Sequence, residues 1–307
     1  MRENIASEEK KVGIEVTNRE LIAVCLDGQG TVIDRMQAPL DVSSDTAPQL
    51  VEFINDTRRR FYDFQKMGIA VPGLFNRKTS RIDYSTLIPE HAKIDLLHEL
   101  EKITKLNIHV ENDANAAAFG EHIAGAGRGS ANMFYATIGT GIGGALILND
   151  KLWYGANGYA GEFGYVAVNS EGMKLEEVAS SSNIIRRTRN WFYQDSTSSL
   201  DNADDMTIAD IVREANNDDD FSQLMLQRTG IYVGTAVAGV INLLNVEKIV
   251  IGGEIMQAGD LVLNAIIQRA KELSFQPSFK STEIVAGNLG KDAAAIGVAI
   301  LSERILE

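Results

Sequence analysis

Short apolar runs separated by polar turns open the chain. Val12–Val16 and Leu21–Leu26 are followed, after the turn Asp27-Gly28-Gln29-Gly30, by Thr31–Met36. This pattern predicts a three-stranded meander. Ser43–Pro48 then supplies helix-start signals, and Leu50, Ile54, Phe61 and Phe64 recur at helical spacing. An amphipathic helix is therefore expected over Pro48–Lys66. Met67–Val71 reads as a short buried strand stopped by Pro72-Gly73, Ile94–Thr104 as a second helix and Asn107–Glu111 as a fifth strand. The predicted order is βββαβα.

The order then recurs. Met133–Ile138, Gly144–Leu148 and Lys151–Tyr154 form a second meander. Helices are expected over Glu176–Phe192, Thr207–Ala215, Phe221–Asn245 and Gly259–Ser274, strands over Lys248–Ile251 and Thr282–Ala286, and a closing helix over Asp292–Leu306. Met225, Leu226, Val233, Val237 and Val240 form a core stripe on the longest helix. Gln194–Asp205 is polar and acidic, as a mobile loop would be. The text also rhymes: IAVPG near residue 70 resembles IVIGG near 250, and HVENDANAA resembles EIVAGNLGKDAA. Such self-similarity implies two copies of one βββαβαβ unit facing each other across a cleft. The fold class is α/β with mixed sheets, and ligands are expected at the carboxyl ends of the strands. The expected division is a small domain of 1–115 plus 291–307 and a large one of 116–290.

Composition narrows the class. With 307 residues, 45% of them apolar and 23% charged, the chain is expected to be a soluble globular protein. No apolar run reaches the ~18 residues of a membrane helix, and the polar start MRENIASEEKK lacks the apolar stretch of a signal peptide. These features, with a single cysteine, Cys25, point to the cytoplasm and exclude an intrachain disulfide. A net charge of −13 argues against a nucleic-acid surface, which needs a basic stripe. A local loop of N–H groups can still hold phosphate.

Three stretches carry candidate chemistry. Gly139-Thr140-Gly141-Ile142-Gly143-Gly144 fits a dinucleotide fingerprint, but strands rather than a helix follow it, so a hairpin that wraps phosphate is the better reading. Asp113 stands at the mouth of the fifth strand beside Glu111 and Asn112. It could cap the following helix, or accept a proton from an attacking hydroxyl. Glu162 lies among glycines, flanked by Tyr159, Phe163 and Tyr165, which points to a partly dry pocket. Glu176 and Glu177 open a helix, where acidic residues suit the dipole, and both read as structural on physics alone. His91, His98, His109 and His122 lack metal-ligand spacing.

With these motifs in place, the chain resembles the ROK family (repressor, open reading frame, kinase). VENDANAAAFGE, IGTGIGGALI, GYAGEFG, KIVIGGE and AAAIGVAIL occur in the family's order and spacing, and the resemblance runs from about Val12 to the C-terminus. It implies a two-domain actin/hexokinase-like (ribonuclease H-like) fold, and an ATP-dependent sugar kinase that phosphorylates a hexose or N-acetylhexosamine. By the same resemblance Asp113 is the catalytic base. Gly73, Asn112, Glu162 and Glu176 are sugar-binding positions, the last overriding the structural reading above. Thr140 and Gly141 belong to the phosphate loop, and Gly252 and Gly253 to the nucleotide loop.

There are departures from the family pattern. Its first phosphate motif, close to D-x-G-G-T, reads here Glu15-Val16-Thr17-Asn18-Arg19. Glu15 could still hold Mg²⁺ through water, while Asn18 and Arg19 crowd the place where backbone should meet phosphate. The C-x-C-G-x-x-G-C loop is absent, and Tyr165 replaces a histidine that serves in the family as zinc ligand and sugar contact, so no zinc is expected. Tyr165 remains grouped with the substrate-binding positions, and Thr86 replaces a sugar-contacting asparagine. The alternative reading is a sugar-binding regulatory protein without turnover. Family repressors carry an N-terminal helix-turn-helix, for which the roughly ten residues before the first strand leave no room. The expected ligands are a sugar and a nucleotide, the expected assembly a homodimer built on the second domain, with no nucleic-acid or membrane partner.

Overall fold

The computed structural model describes residues 10–62, 64–85, 87–192, 198–200 and 205–304. Thr86 and most of the acidic stretch 194–205 lie outside the described residues.

Strands β1 (Lys11–Val16), β2 (Glu20–Leu26) and β3 (Val32–Pro39) form the first meander. Helix α1 (Thr46–Phe61) follows, capped by Asp45, whose carboxylate accepts from the Ala47 N–H. Next come β4 (Lys66–Val71), a small hairpin of β5 (Leu74–Asn76) and β6 (Arg81–Tyr84), α2 (Leu96–Thr104), β7 (Asn107–Asn112) and α3 (Asp113–Ala124). The hairpin was not legible in the sequence, because three- and four-residue strands carry too few alternations to register.

The second half repeats the plan with β8 (Met133–Ile138), β9 (Ile142–Leu148) and β10 (Lys151–Leu152). Helices α4 (Leu175–Ala179), α5 (Ser181–Phe192), α6 (Ile208–Asn216) and α7 (Asp220–Leu244) follow. The chain ends with β11 (Lys248–Gly252), α8 (Asp260–Leu273), α9 (Gln276–Ser281), β12 (Glu283–Ala286) and α10 (Ala293–Arg304). The two five-stranded sheets have the orders β3-β2-β1-β4-β7 and β10-β9-β8-β11-β12. These are one topology written twice. In each, an antiparallel meander feeds two parallel strands. The rhyming segments occupy equivalent places, β4 with β11 and β7–α3 with β12–α10.

The helix expected over Glu176–Phe192 is two helices. Ser180 is extended (ψ 153°), and the Ser181 N–H donates to the Gly139 carbonyl at 2.8 Å rather than continuing α4. A tertiary hydrogen bond to the glycine hairpin overrides the local helical pattern here.

Contacts divide the chain into two compact units, Met1–Gly125 with Tyr154–Ala160 and Lys291–Glu307, and Ala126–Trp153 with Gly161–Gly290. Residues 116–125 and 154–160 thus group with the first unit. The first core joins β1, β2, β4 and β7 with α1 and α2 through residues such as Ile14, Leu21, Ile54, Phe61 and Ile69, all at most 2% exposed. In the second unit α7 is, by length and mean hydropathy alone, a helix that could cross a membrane, although no unbroken apolar run of that length occurs in it. Yet 56% of its apolar window is buried, and Val233, Val237 and Ile241 are core residues. We read it as the central helix of that unit.

Candidate functional site

Three adjacent parallel strands of the first unit end together, and each end carries a predicted site residue: Glu15 on β1, Gly73 after β4, and Asn112-Asp113 where β7 meets α3. Gly73 has φ +131°, and a Cβ there would strike the Tyr84 carbonyl, so only glycine fits. Its own carbonyl accepts from Asn112 Nδ2 at 2.9 Å.

The cap of α3 is Asn112, not Asp113. Asn112 Oδ1 accepts from the Asn115 N–H at 3.0 Å, and its Nδ2 also donates to Asp113 Oδ1 at 3.0 Å. Asp113 stands one position later, where Oδ1 also accepts from the Ala114 N–H at 2.8 Å. The capping reading of Asp113 therefore gives way. Two donors fix its carboxylate at the positive end of the helix.

Glu15 is in an unusual state. Its Oε2 is sealed from solvent and has no hydrogen-bond partner among the described residues. Burial, then the charges of Asp113, Asp292 and Glu20, push its pKa up to about 8. A buried carboxylate oxygen without a donor, in a field of further carboxylates, is the kind of group a hard cation takes, although among the described residues no group of three or more His, Cys, Asp or Glu side chains is placed to hold a metal by itself. Without a cation, ionisation of Glu15 opposes folding. The cost is absent below pH 4.5, grows as pH rises and is complete above about 8. Glu15→Gln should thus gain roughly 3–5 kcal/mol over wild type between pH 4.5 and pH 9 in chelator. Paired melting curves at the two pH values check this, and a constant difference would refute it.

The turn after β1 is closed on itself. Thr17 Oγ1 accepts from the N–H groups of Arg19 and Glu20 at 3.1 and 2.9 Å, and the Thr17 N–H donates to the Glu20 carbonyl at 3.0 Å. Three N–H groups that could meet a phosphate are already engaged.

The second unit assembles the remaining residues, with the Gly139–Gly141 turn joining β8 to β9. Among the described residues the N–H groups of Thr140 and Gly141 carry no hydrogen bond, and so remain available to an anion. Glu176 buttresses this turn: its Oε2 accepts from the Ile142 N–H at 2.8 Å and lies 3.3 Å from where a Gly141 Cβ would sit. Gly252 ends β11, parallel to β8, and Gly253 follows it. Gly253 has φ +92°, and a Cβ there would strike the Ile138 backbone, so packing alone already demands glycine.

Glu162 follows in the same unit. Partial burial and the nearby Glu176 raise its pKa. The aromatic residues beside it in this unit have different surroundings. Phe163 is buried against Phe134, but Tyr165 is 56% exposed with the Lys174 ammonium 4.1 Å from its ring centre. The hairpin 166–175 is held by main-chain bonds instead, Val168 N–H to Met173 and Leu175 N–H to Val166.

Sequence reasoning passed over four residues near the first set: Arg77, Tyr154, Asp292 and, as more than a neighbour of Asp113, Glu111. Only Glu111 left a signal, as a carboxylate inside an apolar strand. Arg77 and Tyr154 meet it through folding alone.

The duplicated sheets, with acidic and glycine-rich strand ends, define the actin/hexokinase-like fold, which solved structures bear out. A ROK family glucokinase from Streptomyces griseus, in complex with glucose and AMPPNP, superposes with a TM-score of 0.85 at 24% identity, covering 96% of this chain and 99% of that one. The family model described as ROK family matches residues 11–305, and this chain belongs to that family. It is 31% identical over 306 residues to a glucokinase of Halalkalibacterium halodurans, across 93% of this chain and 92% of the relative. It is also 27% identical over 311 residues to a xylose repressor of Bacillus spizizenii, across 96% of this chain and 78% of the relative.

Proposed function

We propose that this chain is an ATP-dependent sugar kinase that transfers a phosphoryl group to a hydroxyl of a hexose or N-acetylhexosamine. The similarity to glucokinases supports the class. The observation that carries the chemistry is the division of labour at the head of α3: Asn112 caps the helix, and Asp113 keeps an oriented carboxylate at the strand mouth. Asp113 takes the proton of the sugar hydroxyl as the sugar oxygen attacks the γ-phosphorus and the bond to the β–γ bridging oxygen breaks, releasing ADP. Asn112, Gly73, Glu162, Glu176 and Tyr165 hold the sugar. The N–H groups of Thr140 and Gly141 receive phosphate oxygens, and Gly252-Gly253 approach the nucleotide. Glu15 would hold a magnesium ion, which when bound would neutralise charge on the phosphates. A coupled ADP-release assay across hexoses, N-acetylhexosamines and fructose tests the proposal, which no turnover with any of them would sink.

The self-closed turn at Thr17–Glu20 favours a second reading, a sugar-binding regulator without turnover, and the similarity to a xylose repressor is consistent with it. Calorimetry separates the two: sugar binding without any ATP binding supports the regulator.

We further propose that two copies pair through the second unit. Leu243 and Phe275 are 85% and 67% exposed, with Ile231, Leu244 and Leu273 also exposed on α7 and α8. The wild type should sediment as a dimer at micromolar concentration, and Leu243→Asp with Phe275→Asp as a monomer. A monomeric wild type disposes of the idea.

A further inference from the structure

Four donors converge on Glu111, one residue before the end of β7. Its Oε1 accepts from the Asn112 N–H at 3.0 Å and Asn115 Nδ2 at 3.1 Å. Its Oε2 accepts from Arg77 Nη1 at 3.1 Å and the Tyr154 hydroxyl at 2.9 Å. The residue is 1% exposed. Burial pushes its pKa up, and these donors with the Arg77 charge pull it back. His109 Nε2 lies 4.0 Å from Oε2, but burial and Arg77 push its pKa down to about 4, so it stands neutral. Burial and the Glu111 charge push the Tyr154 phenol well up, which keeps it a donor. The Arg77 guanidinium also lies over the Tyr154 ring, 4.0 Å from its centre.

Tyr154 begins the segment 154–160, which groups with the first unit although the chain on either side builds the second. Its other attachments are on the same unit: the Tyr159 hydroxyl bonds Asp83, and Lys78 reaches Asn157 Oδ1 at 3.4 Å. One half of the Glu111 carboxylate is thus held by this segment and Arg77. The other half holds the junction from which Asn112 and Asp113 project.

We propose that Tyr154 and Arg77 are positioning residues for Asn112 and Asp113, acting through the Glu111 carboxylate. The proposal rests on the kinase reading above. Losing the Tyr154 hydroxyl leaves Oε2 short of a donor where little water can replace it, so the carboxylate turns toward Arg77 and its grip on Asn112 N–H and Asn115 slackens. Displacements on the order of 1 Å in such a junction can cost up to ~10² in rate.

Steady-state kinetics of Tyr154→Phe, Glu111→Gln and the double variant test this. Tyr154→Phe should lower kcat roughly 10-fold while the KM for ATP stays at the wild-type value. The double variant should be no slower than Glu111→Gln alone, since both act through one group. Wild-type kcat in Tyr154→Phe, or fully multiplicative effects, would overturn the proposal and leave the kinase reading intact. A wild type that turns over no sugar overturns the kinase reading instead. Positioning is then read by calorimetry, where weaker sugar binding in Tyr154→Phe supports it and unchanged binding refutes it. A chain that binds no sugar at all overturns both.

Discussion

Asp113→Asn is expected to lower kcat by ~10²–10⁴ while sugar affinity stays within a few-fold of wild type. The amide keeps an oxygen for the Ala114 N–H and for Asn112 Nδ2, so the head of α3 is preserved. What disappears is the capacity to accept a proton as the sugar oxygen attacks. ADP release measured beside sugar calorimetry checks both halves. Retained turnover would remove Asp113 from the reaction, and lost affinity would make it a binding residue. The same variant in a regulator should change neither sugar binding nor any turnover.

Gly297→Val is expected to cost upward of about 3 kcal/mol, and so to remove much of a typical domain's stability. A Cβ at Gly297 would strike the Ala116 carbonyl, and one at Gly120 would meet the Ala293 carbonyl at 2.5 Å, so α3 and α10 cross at backbone contact. The far side of α10 is equally close to β1 and β4, where Gly13 and Gly68 face the carbonyls of Ala295 and Val298. α10 therefore has no direction in which to retreat, and α3 carries Asp113 at its first position. Denaturant midpoints and soluble yield measure the loss. A midpoint near wild type would show that the crossing relaxes more easily than its geometry implies.

Much of this was legible in advance. The β8 strand was read residue for residue, and β1, β4, β7 and β11 within a residue at either end, because buried parallel strands form dense apolar runs between glycine and polar stops. The rhyme of IAVPG with IVIGG was a true structural equivalence. Boundaries failed where another part of the chain supplied the deciding bond. Ser181 leaves the helical pattern to reach Gly139, and β5–β6 exists as a hairpin too short to show periodicity. The candidate site behaved likewise. Asp113 and Thr140-Gly141 stood out because a carboxylate and a glycine turn at strand ends are the residue types that the proposed chemistry needs. The aromatic residues around Glu162 do not share one environment, because sequence proximity does not say which way a ring turns: Phe163 is buried and Tyr165 is exposed.

Local sequence settled the succession of most strands and helices and their duplication, since these depend on periodicity and on residues within a few positions of each other. Tertiary structure alone decided that Asn112 Nδ2 reaches the Gly73 carbonyl, that Glu15 is stranded without a donor among the described residues, and that Arg77 and Tyr154 meet on Glu111. Each of those outcomes is set by groups 30 or more positions apart or by the loss of water around a carboxylate, and neither distance in space nor dehydration is written in the order of residues.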